Sequence, residues 1–356
     1  MKTTVYVLTH KNFIPPNDTK MYVPLHVGHT FCVSDYGFMG DDTGDNISER
    51  NDTFSELTGL YWAWKNDDTS DIIGTCHYRR YLINEGEELL TEPEVEEILK
   101  DYDLITTKEL KLNFPYEYGF KEHHKPLYLE ETKKAIESLY PEDMPVFNSA
   151  IKGVHTYFGN MMIMKKETYS AYMKWLFDIL FFMDRNITVD EPDSYHRRIY
   201  GFISEFLLYV YVKSRGLKAY ECKVGMTEEK AEIKEVRHAL AEFFKDGDLN
   251  GAKEYFLEQR EKRPDLLMEA SDITGELHIA MQIIATAGLE QRKYGENLLT
   301  GGRDFKELVS LFAGLNDLVS ERKHGPASEE EHRYIKEKGL SEEALFVAEK
   351  MYGKGI

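Results

Sequence analysis

In the segment Asp71–Tyr81, DIIGTCHYRRY, two adjacent arginines close an apolar run, and side-by-side guanidiniums call for a chemical account. Ile72–Cys76 has the texture of a buried strand, which would deliver His77, Tyr78, Arg79 and Arg80 in succession at its carboxyl end. The planar donors of arginine match phosphate oxygens two at a time, so this step reads as a diphosphate clamp; the plainer alternative is ion pairing with the chain's many carboxylates. Thr9-His10-Lys11 places another polar, cationic pair at the end of an early strand. Ligands of open α/β sheets bind at that edge, although a lysine after a strand can also be simply solvated.

Carboxylates supply the second kind of chemistry. In Asp193–Val212, DSYHRRIYGFISEFLLYVYV, Ser204-Glu205 open an apolar helical run, which carries the Glu205 carboxylate into a hydrophobic setting. Such a setting raises a carboxylate's pKa or prepares it as a general base, and Gly201 nearby would allow close approach. The structural alternative, favoured by spacing alone, is a salt bridge from Glu205 to Arg197 or Arg198. Asp41–Asn51, DDTGDNISERN, is dense in carboxylates but departs from calcium-loop spacing. It reads as a loop and helix cap, with Asn51–Ser55 leading into the helix of Glu56, Leu57, Leu60, Tyr61 and Trp64, and with Asp45 and Asn46 near a ligand as the sharper option. Asp101-Tyr102-Asp103 has the letters of a metal-holding Asp-x-Asp, yet it precedes its strand, Leu104–Thr106, where ligating carboxylates should follow it; it reads as a decoy.

The elements that must hold these residues follow from pattern. Up to Gly225, short apolar or β-branched runs (Val5–Thr9, Asp71–Cys76, Asp103–Thr107, Asn160–Met164) alternate with helical periodicity, the mark of an α/β layer fold. From about Thr227 to Tyr352 strand patterns vanish, and a Glu-, Lys-, Ala- and Leu-rich stretch predicts four to six helices. We therefore expect an α/β domain over 1–224 and an all-α domain over 225–356, in keeping with a length of 356 residues. Phe243, Ala252, Phe256 and Pro264 fall at spacings that resemble one tetratricopeptide hairpin turning at Gly247-Asp248. No second copy follows, so an ordinary helical hairpin is favoured; it would dock a partner protein or cap the first domain.

Composition sets the outer limits. Against 44 Lys+Arg stand 63 Asp+Glu, a net charge of -19, which argues against a nucleic-acid partner; 42% hydrophobic residues exclude global disorder. Cys32, Cys76 and Cys222 lie far apart without a Cys-x-x-Cys pair, so neither a disulfide framework nor a zinc site is expected, and a reducing cytoplasm fits best. The N-terminal MKTTVYVLTH reads as a strand rather than a signal peptide. Tyr169–Met183 is the most membrane-like run, but Lys174 and Asp178 interrupt it, and it reads as a buried amphipathic helix. His123, His124 and Lys125 form a small basic patch that could touch anionic lipid, with a solvated loop as the simpler account.

Six blocks taken in order carry a resemblance: GDNIS (Gly44–Ser48), SELTGLYWAWKN (Ser55–Asn66), GTCHYRRY (Gly74–Tyr81), NMMIMKKE (Asn160–Glu167), WLFDIL (Trp175–Leu180) and RIYGFISEFLL (Arg198–Leu208). Together they resemble a bacterial family of capsular polysaccharide, exopolysaccharide and O-antigen biosynthesis, formerly a domain of unknown function and linked to galactofuranosyltransferases. The resemblance covers roughly residues 3 to 222 and leaves out the tail. It implies a variant nucleotide-sugar-binding (GT-A-like) α/β fold, UDP-galactofuranose as the first donor to name, and a glycan acceptor, lipid-linked and presented at the inner face of the plasma membrane. Thr75 stands where the pattern has Leu, and Phe206 where it has Arg.

On that resemblance the expected reaction is inverting transfer: a carboxylate takes the acceptor hydroxyl proton while the departing diphosphate gains charge that needs stabilising. Arg79 and Arg80, helped by His10, Lys11 and His77, would do this without a divalent metal. Glu205 is the first candidate base, with Asp193 and His155 behind it. Tyr61, Trp62 or Trp64 could stack on uracil or sugar, although Trp62 and Trp64 cannot share one helix face, and Asn160 could contact sugar or acceptor. Two alternatives stand beside this: a hexopyranosyltransferase using another UDP-sugar, and a non-catalytic scaffold of polysaccharide assembly.

Overall fold

The computed structural model describes residues 1–18, 20–112, 114–227, 231–267, 272, 274–322 and 326–352. The chain divides into two compact units, Met1–Thr227 and Glu228–Ile356.

The first unit contains strands β1 (Thr3–Thr9), β2 (Tyr22–His26), β3 (Met39–Gly40), β4 (Ile72–His77), β5 (Arg80–Ile83), β6 (Leu104–Thr107), β7 (Leu110–Lys111), β8 (His155–Thr156), β9 (Met162–Lys165) and β10 (Ala219–Met226). Its helices are α1 (Asn51–Phe54), α2 (Leu57–Asn66), α3 (Glu92–Asp101), α4 (Tyr116–His123), α5 (Pro126–Leu139), α6 (Met144–Lys152), α7 (Lys166–Asn186), α8 (Ser194–Arg197) and α9 (Ile199–Arg215).

Strand β1 lies between β2 and β4, parallel to both, and β3 extends the parallel set beyond β2. Strand β9 runs antiparallel to β4 and β6, with Met162 opposite both Thr75 and Thr106, so β6 is parallel to β4. Strand β10 pairs in parallel with β6, then antiparallel with β5, whose Arg80 sits opposite His77. The pairings thus form a circuit through β4, β5, β10, β6 and β9. Strands β1, β4 and β6 end at one edge, and the Gly159-Asn160 turn before β9 enters there too.

Period-two alternation sorts the side chains onto two faces. Val5, Val7, Ile72, Ile105 and Ile163 pack with Val95 and Leu99 of α3 on one. Tyr6, Leu8, Ile73, Met162 and Met164 pack on the other with α2, α7 and α9. A sheet covered on both sides explains why β1, β4 and β6 read as nearly unbroken apolar runs. Gly59 brings α2 close: a Cβ there would sit 2.6 Å from Leu8 Cδ2 and 2.7 Å from Val27 Cγ1. The Tyr169–Met183 run lies in α7 with Tyr169, Tyr172, Met173 and Leu176 buried, and among the described residues no helix is long and apolar enough to cross a membrane.

Strand β10 has no forewarning in the sequence pattern and passes through Gly225, so the strand-bearing region ends at Met226 rather than before Gly225. The second unit is helical: α10 (Ala231–Lys245), α11 (Leu249–Lys262), α12 (Glu276–Tyr294), α13 (Phe305–Glu321), α14 (Glu329–Lys338) and α15 (Glu342–Tyr352). Gly247, at φ 68°, and Asp248, which caps the Gly251 N–H, make the turn between α10 and α11. Phe244 rather than Phe243 is the fully buried ring there, alongside Ala252 and Phe256; the side chain of Pro264 lies outside the described residues.

Candidate functional site

Helix α2 does not continue from α1. Ser55 takes φ 50°, ψ −128° between them, held by Asn51 Nδ2 donating to its carbonyl at 2.8 Å, while Thr58 N donates to the same oxygen at 3.2 Å. The expected single helix capped by Asn51–Ser55 is therefore broken, and Glu56 becomes the cap residue of α2 with its carboxylate buried. Across from it, Gly159 (φ 95°) and Asn160 (φ 47°) turn the chain into β9. Two of the three non-glycine residues with positive φ among the described residues thus lie in this one cluster, the kind of backbone strain that persists where neighbours over-determine it.

Those neighbours are specific. The buried Asn160 donates through Nδ2 to Glu56 Oε1 at 2.8 Å and to the Gly201 carbonyl at 3.1 Å. The Ser204 hydroxyl lies 3.0 Å from Asn160 Oδ1 and 2.7 Å from the Gly201 carbonyl, and the Thr75 hydroxyl donates to the Asn160 carbonyl at 3.1 Å. The Gly159 N–H donates to Glu205 Oε1 at 2.9 Å, and His77 Nε2 donates to the Gly159 carbonyl at 2.6 Å. Arg198 reaches Glu56 Oε2 at 3.5 Å and donates through Nε to Ser55 Oγ at 2.8 Å.

The three titratable groups at the centre are driven apart. Burial, and then the charge of Glu56, push the Glu205 carboxyl up to about 8, against the Gly159 N–H and the cations Arg80 and Arg198. Burial pushes Glu56 up as well, but Arg198, His77 and the Asn160 amide outweigh it and hold that carboxyl below its usual value. Burial lowers His77 to about 4, opposed by Glu56 and aided by Arg80 and Arg79. Near neutrality the pair therefore consists of an ionised Glu56 and a largely protonated Glu205, beside a neutral imidazole. Opposed pKa values in neighbouring groups are how active sites separate acid and base roles.

The cationic side of the edge is organised by the buried Tyr78, whose backbone N–H donates to the Leu8 carbonyl at 3.0 Å. The Lys11 Nζ stands 5.0 Å from the Tyr78 ring centroid, Arg79 Cζ 5.5 Å, and the His10 ring 5.6 Å edge-on. Arg80 begins β5 opposite His77, and its charge acts on both His77 and Glu205. The edge thus brings together His10, Lys11, His77, Tyr78, Arg79, Arg80, Asn160 and Glu205.

The remaining expected site residues lie elsewhere. Trp64 is eight residues beyond Glu56 on α2, about 12 Å along the axis, and it stacks on Phe177 at 6.0 Å with the Lys65 Nζ 3.7 Å over its ring. Trp62 is the core ring, with Nε1 bonded to Thr43. Asp45 accepts the Tyr61 hydroxyl at 3.0 Å, and Asn46 shapes its own turn through Gly44 and Ser48. Asp193 caps α8 by accepting the His196 N–H at 2.9 Å. His155 pairs with Glu109 at 2.8 Å on the separate β7–β8 ribbon. Arg197 pairs with Asp52 and Arg198 with Glu56, so the salt bridge that spacing favoured for Glu205 does not form. Gly201 is not a steric necessity, since a Cβ would sit 3.5 Å from Glu56 Oε1, an ordinary contact. Phe206 stacks on Tyr116 at 3.9 Å in the core. Asp103 accepts the Lys218 N–H at 2.8 Å at the amino end of β6, away from the site edge.

Glu56, Thr75 and Ser204 join the cluster without having been expected as site residues. Their shared signal is polarity inside apolar surroundings, since a buried polar group needs a partner; which partner each finds is a property of the fold.

The family model described as "Domain of unknown function (DUF4422)" matches residues 4–216. The chain belongs to this family. The DUF4422 segment contains every residue of the Glu56–Asn160–Glu205 cluster and ends before β10, so the helical second unit lies outside it. Among solved structures, the chain is similar to one described as the apo structure of WbbM, a bifunctional glycosyltransferase, at a TM-score of 0.59 and 26% identity; the match covers 64% of this chain and 46% of that one. The chain therefore spans about half the length of that solved relative. No curated protein matches it.

Proposed function

We propose that this DUF4422 protein is a glycosyltransferase that moves a sugar from a nucleotide donor to a glycan acceptor, with UDP-galactofuranose as the first donor to test and surface polysaccharide as the product class. What supports this most is the juxtaposition, at one sheet edge, of the Arg79-Arg80 step with two carboxylates of opposed protonation, in a chain similar to a glycosyltransferase. The helical second unit would serve as the docking module for a partner.

In the proposed inverting step the acceptor oxygen attacks the anomeric carbon, the bond from that carbon to UDP breaks, and its electron pair leaves on the β-phosphate. The acceptor proton passes to Glu205, which must be ionised to accept it. With its carboxyl near 8, roughly a tenth is ionised at pH 7, and the fraction grows with pH. Glu56 stays charged and holds Asn160 and Arg198 in place. Arg79 and Arg80, with Lys11, meet the charge developing on the diphosphate, which would make a divalent metal dispensable.

The test is to incubate the full chain with UDP-sugars and lipid-linked or synthetic glycan acceptors and identify products by mass spectrometry, with and without chelator. A product formed equally in chelator supports both the transfer and its metal independence. Absence of transfer from every donor, together with no thermal stabilisation by millimolar UDP, would overturn the assignment.

A further inference from the structure

Residues 121–125, 191–193 and His196 line an open recess of about 400 Å³, a size suited to a sugar-sized ligand. Its ring is His124, which packs against Phe120 and Phe202, each at 4.8 Å, with Tyr195 nearly parallel at 6.4 Å. His196 stands 5.7 Å away, with its Nδ1 2.7 Å from Asp193. Carboxylates slightly outnumber cations in the lining: Lys121 and Lys125 stand among Glu122, Glu191 and Asp193, and Lys125 Nζ is 3.0 Å from Glu191. A pocket without net positive charge does not select a phosphate or an anionic lipid headgroup. A flat ring bordered by carboxylates and imidazole suits a neutral polyhydroxylated ring, which offers C–H groups on its face and hydroxyls at its rim. Burial, then the charges of His196 and His123, hold His124 at about 3, so its ring stays neutral and behaves as an aromatic plate at any working pH.

The pocket is connected to the chemistry. The Phe202 ring lies 5.9 Å from Arg198 Cζ, Arg198 reaches Glu56, and Phe202 precedes Glu205 by three residues on α9, one helical turn. A sugar seated on His124 would thus extend toward the carboxylates along one helix face. We propose that this pocket is the acceptor subsite, with the acceptor's sugar stacked on His124 and its hydroxyls held by His196, Asp193 and Glu191; this rests on the glycosyl-transfer function proposed above.

The experiment titrates the full chain with methyl β-D-galactopyranoside and methyl β-D-glucopyranoside while following the imidazole C–H signals, assigned with His124→Phe and His196→Gln variants. The expected result is a saturable shift of the His124 and His196 signals by at least one glycoside. Affinity should fall roughly fivefold to tenfold in His124→Ala and recover in His124→Phe, the loss of one stacking contact. No shift up to about 100 mM, enough to half-fill a site worth only ~1.4 kcal/mol, would overturn the subsite, as would unchanged affinity in His124→Ala. Thermal stabilisation by UDP is read in parallel. Glycoside shifts without UDP stabilisation would remove the transfer function and leave a sugar site; UDP stabilisation without glycoside shifts would remove only the subsite.

Discussion

Asn160 donates its side-chain amide to Glu56 Oε1 at 2.8 Å, joining the turn before β9 to the N-cap residue of α2 across 104 positions of sequence. The same side chain holds the Gly201 carbonyl and lies beside the Ser204 hydroxyl, so one amide fixes the mutual placement of α2, α9 and the sheet edge. Replacing it tests both the hydrogen bonds and the left-handed backbone at φ 47°. Asn160→Ala leaves Glu56 and Gly201 short of a donor and puts a Cβ residue with no local hydrogen bonds at positive φ; we expect a loss of about 2–4 kcal/mol in urea unfolding. Asn160→Gly loses the same bonds without the backbone strain and should lose less. Equal losses in the two variants would show that strain plays no part.

The cationic step should be read out by UDP itself. Arg79→Ala and Arg80→Ala are each expected to weaken UDP binding by about 10- to 100-fold in calorimetry, the range for a charge-assisted bond to phosphate. Lysine at either position should restore only part, because an ammonium cannot offer two parallel donors. Unchanged UDP affinity in both alanine variants would move the diphosphate away from this edge.

Much of the first unit was legible because its strands announce themselves. A sheet covered on both faces needs unbroken apolar runs, and β1, β4, β6 and β9 show them, which located His77–Arg80 and Asn160 at strand ends. Strands β2 and β5 are short and mixed, β3 has two residues, and β10 buries only Cys222 among exposed and half-buried positions, so none rises above its background. The carboxylate pair was half legible. Glu205 stands out because an apolar helix surrounds it. Glu56 does not, since its position depends on Ser55 breaking a helical pattern at a point where nothing in Asn51–Trp64 marks a break. Asp193 and His155 fit a catalytic list by residue type, but capping and a pair with Glu109 engage them.

Glu205 and Glu56 should couple stability to pH with opposite signs. The Glu205 carboxyl is raised from 4.5 to about 8, so the folded chain keeps a proton that the unfolded chain releases between those values. Its favourable contribution is full below about 4.5 and is lost as pH climbs toward 8. Glu205→Gln, which cannot ionise, should therefore gain stability over wild type at pH 8.5 and match it near pH 4.5. The Glu56 carboxyl is lowered, so its contribution is present above 4.5 and disappears as pH falls. Glu56→Gln should cost more at pH 7 than at pH 4, because Arg198 loses a charged partner. Urea midpoints at these four pH values decide both signs.

The same ionisation should govern turnover, and it separates the two carboxylates as bases. With Glu205 as the base, kcat/KM rises with pH along a limb centred near 8 and levels off above it, since only the carboxylate can take the acceptor proton. Glu205→Gln should lose about 100- to 10,000-fold and show no such limb. Glu56 is the second-largest cause of the raised value, so Glu56→Gln, which removes that like charge, should move the limb of the residual activity to lower pH. With Glu56 as the base instead, the profile would already be flat at pH 6 and Glu205→Gln would keep most of its turnover. A pH profile of wild type and both variants, taken with saturating donor, distinguishes the two.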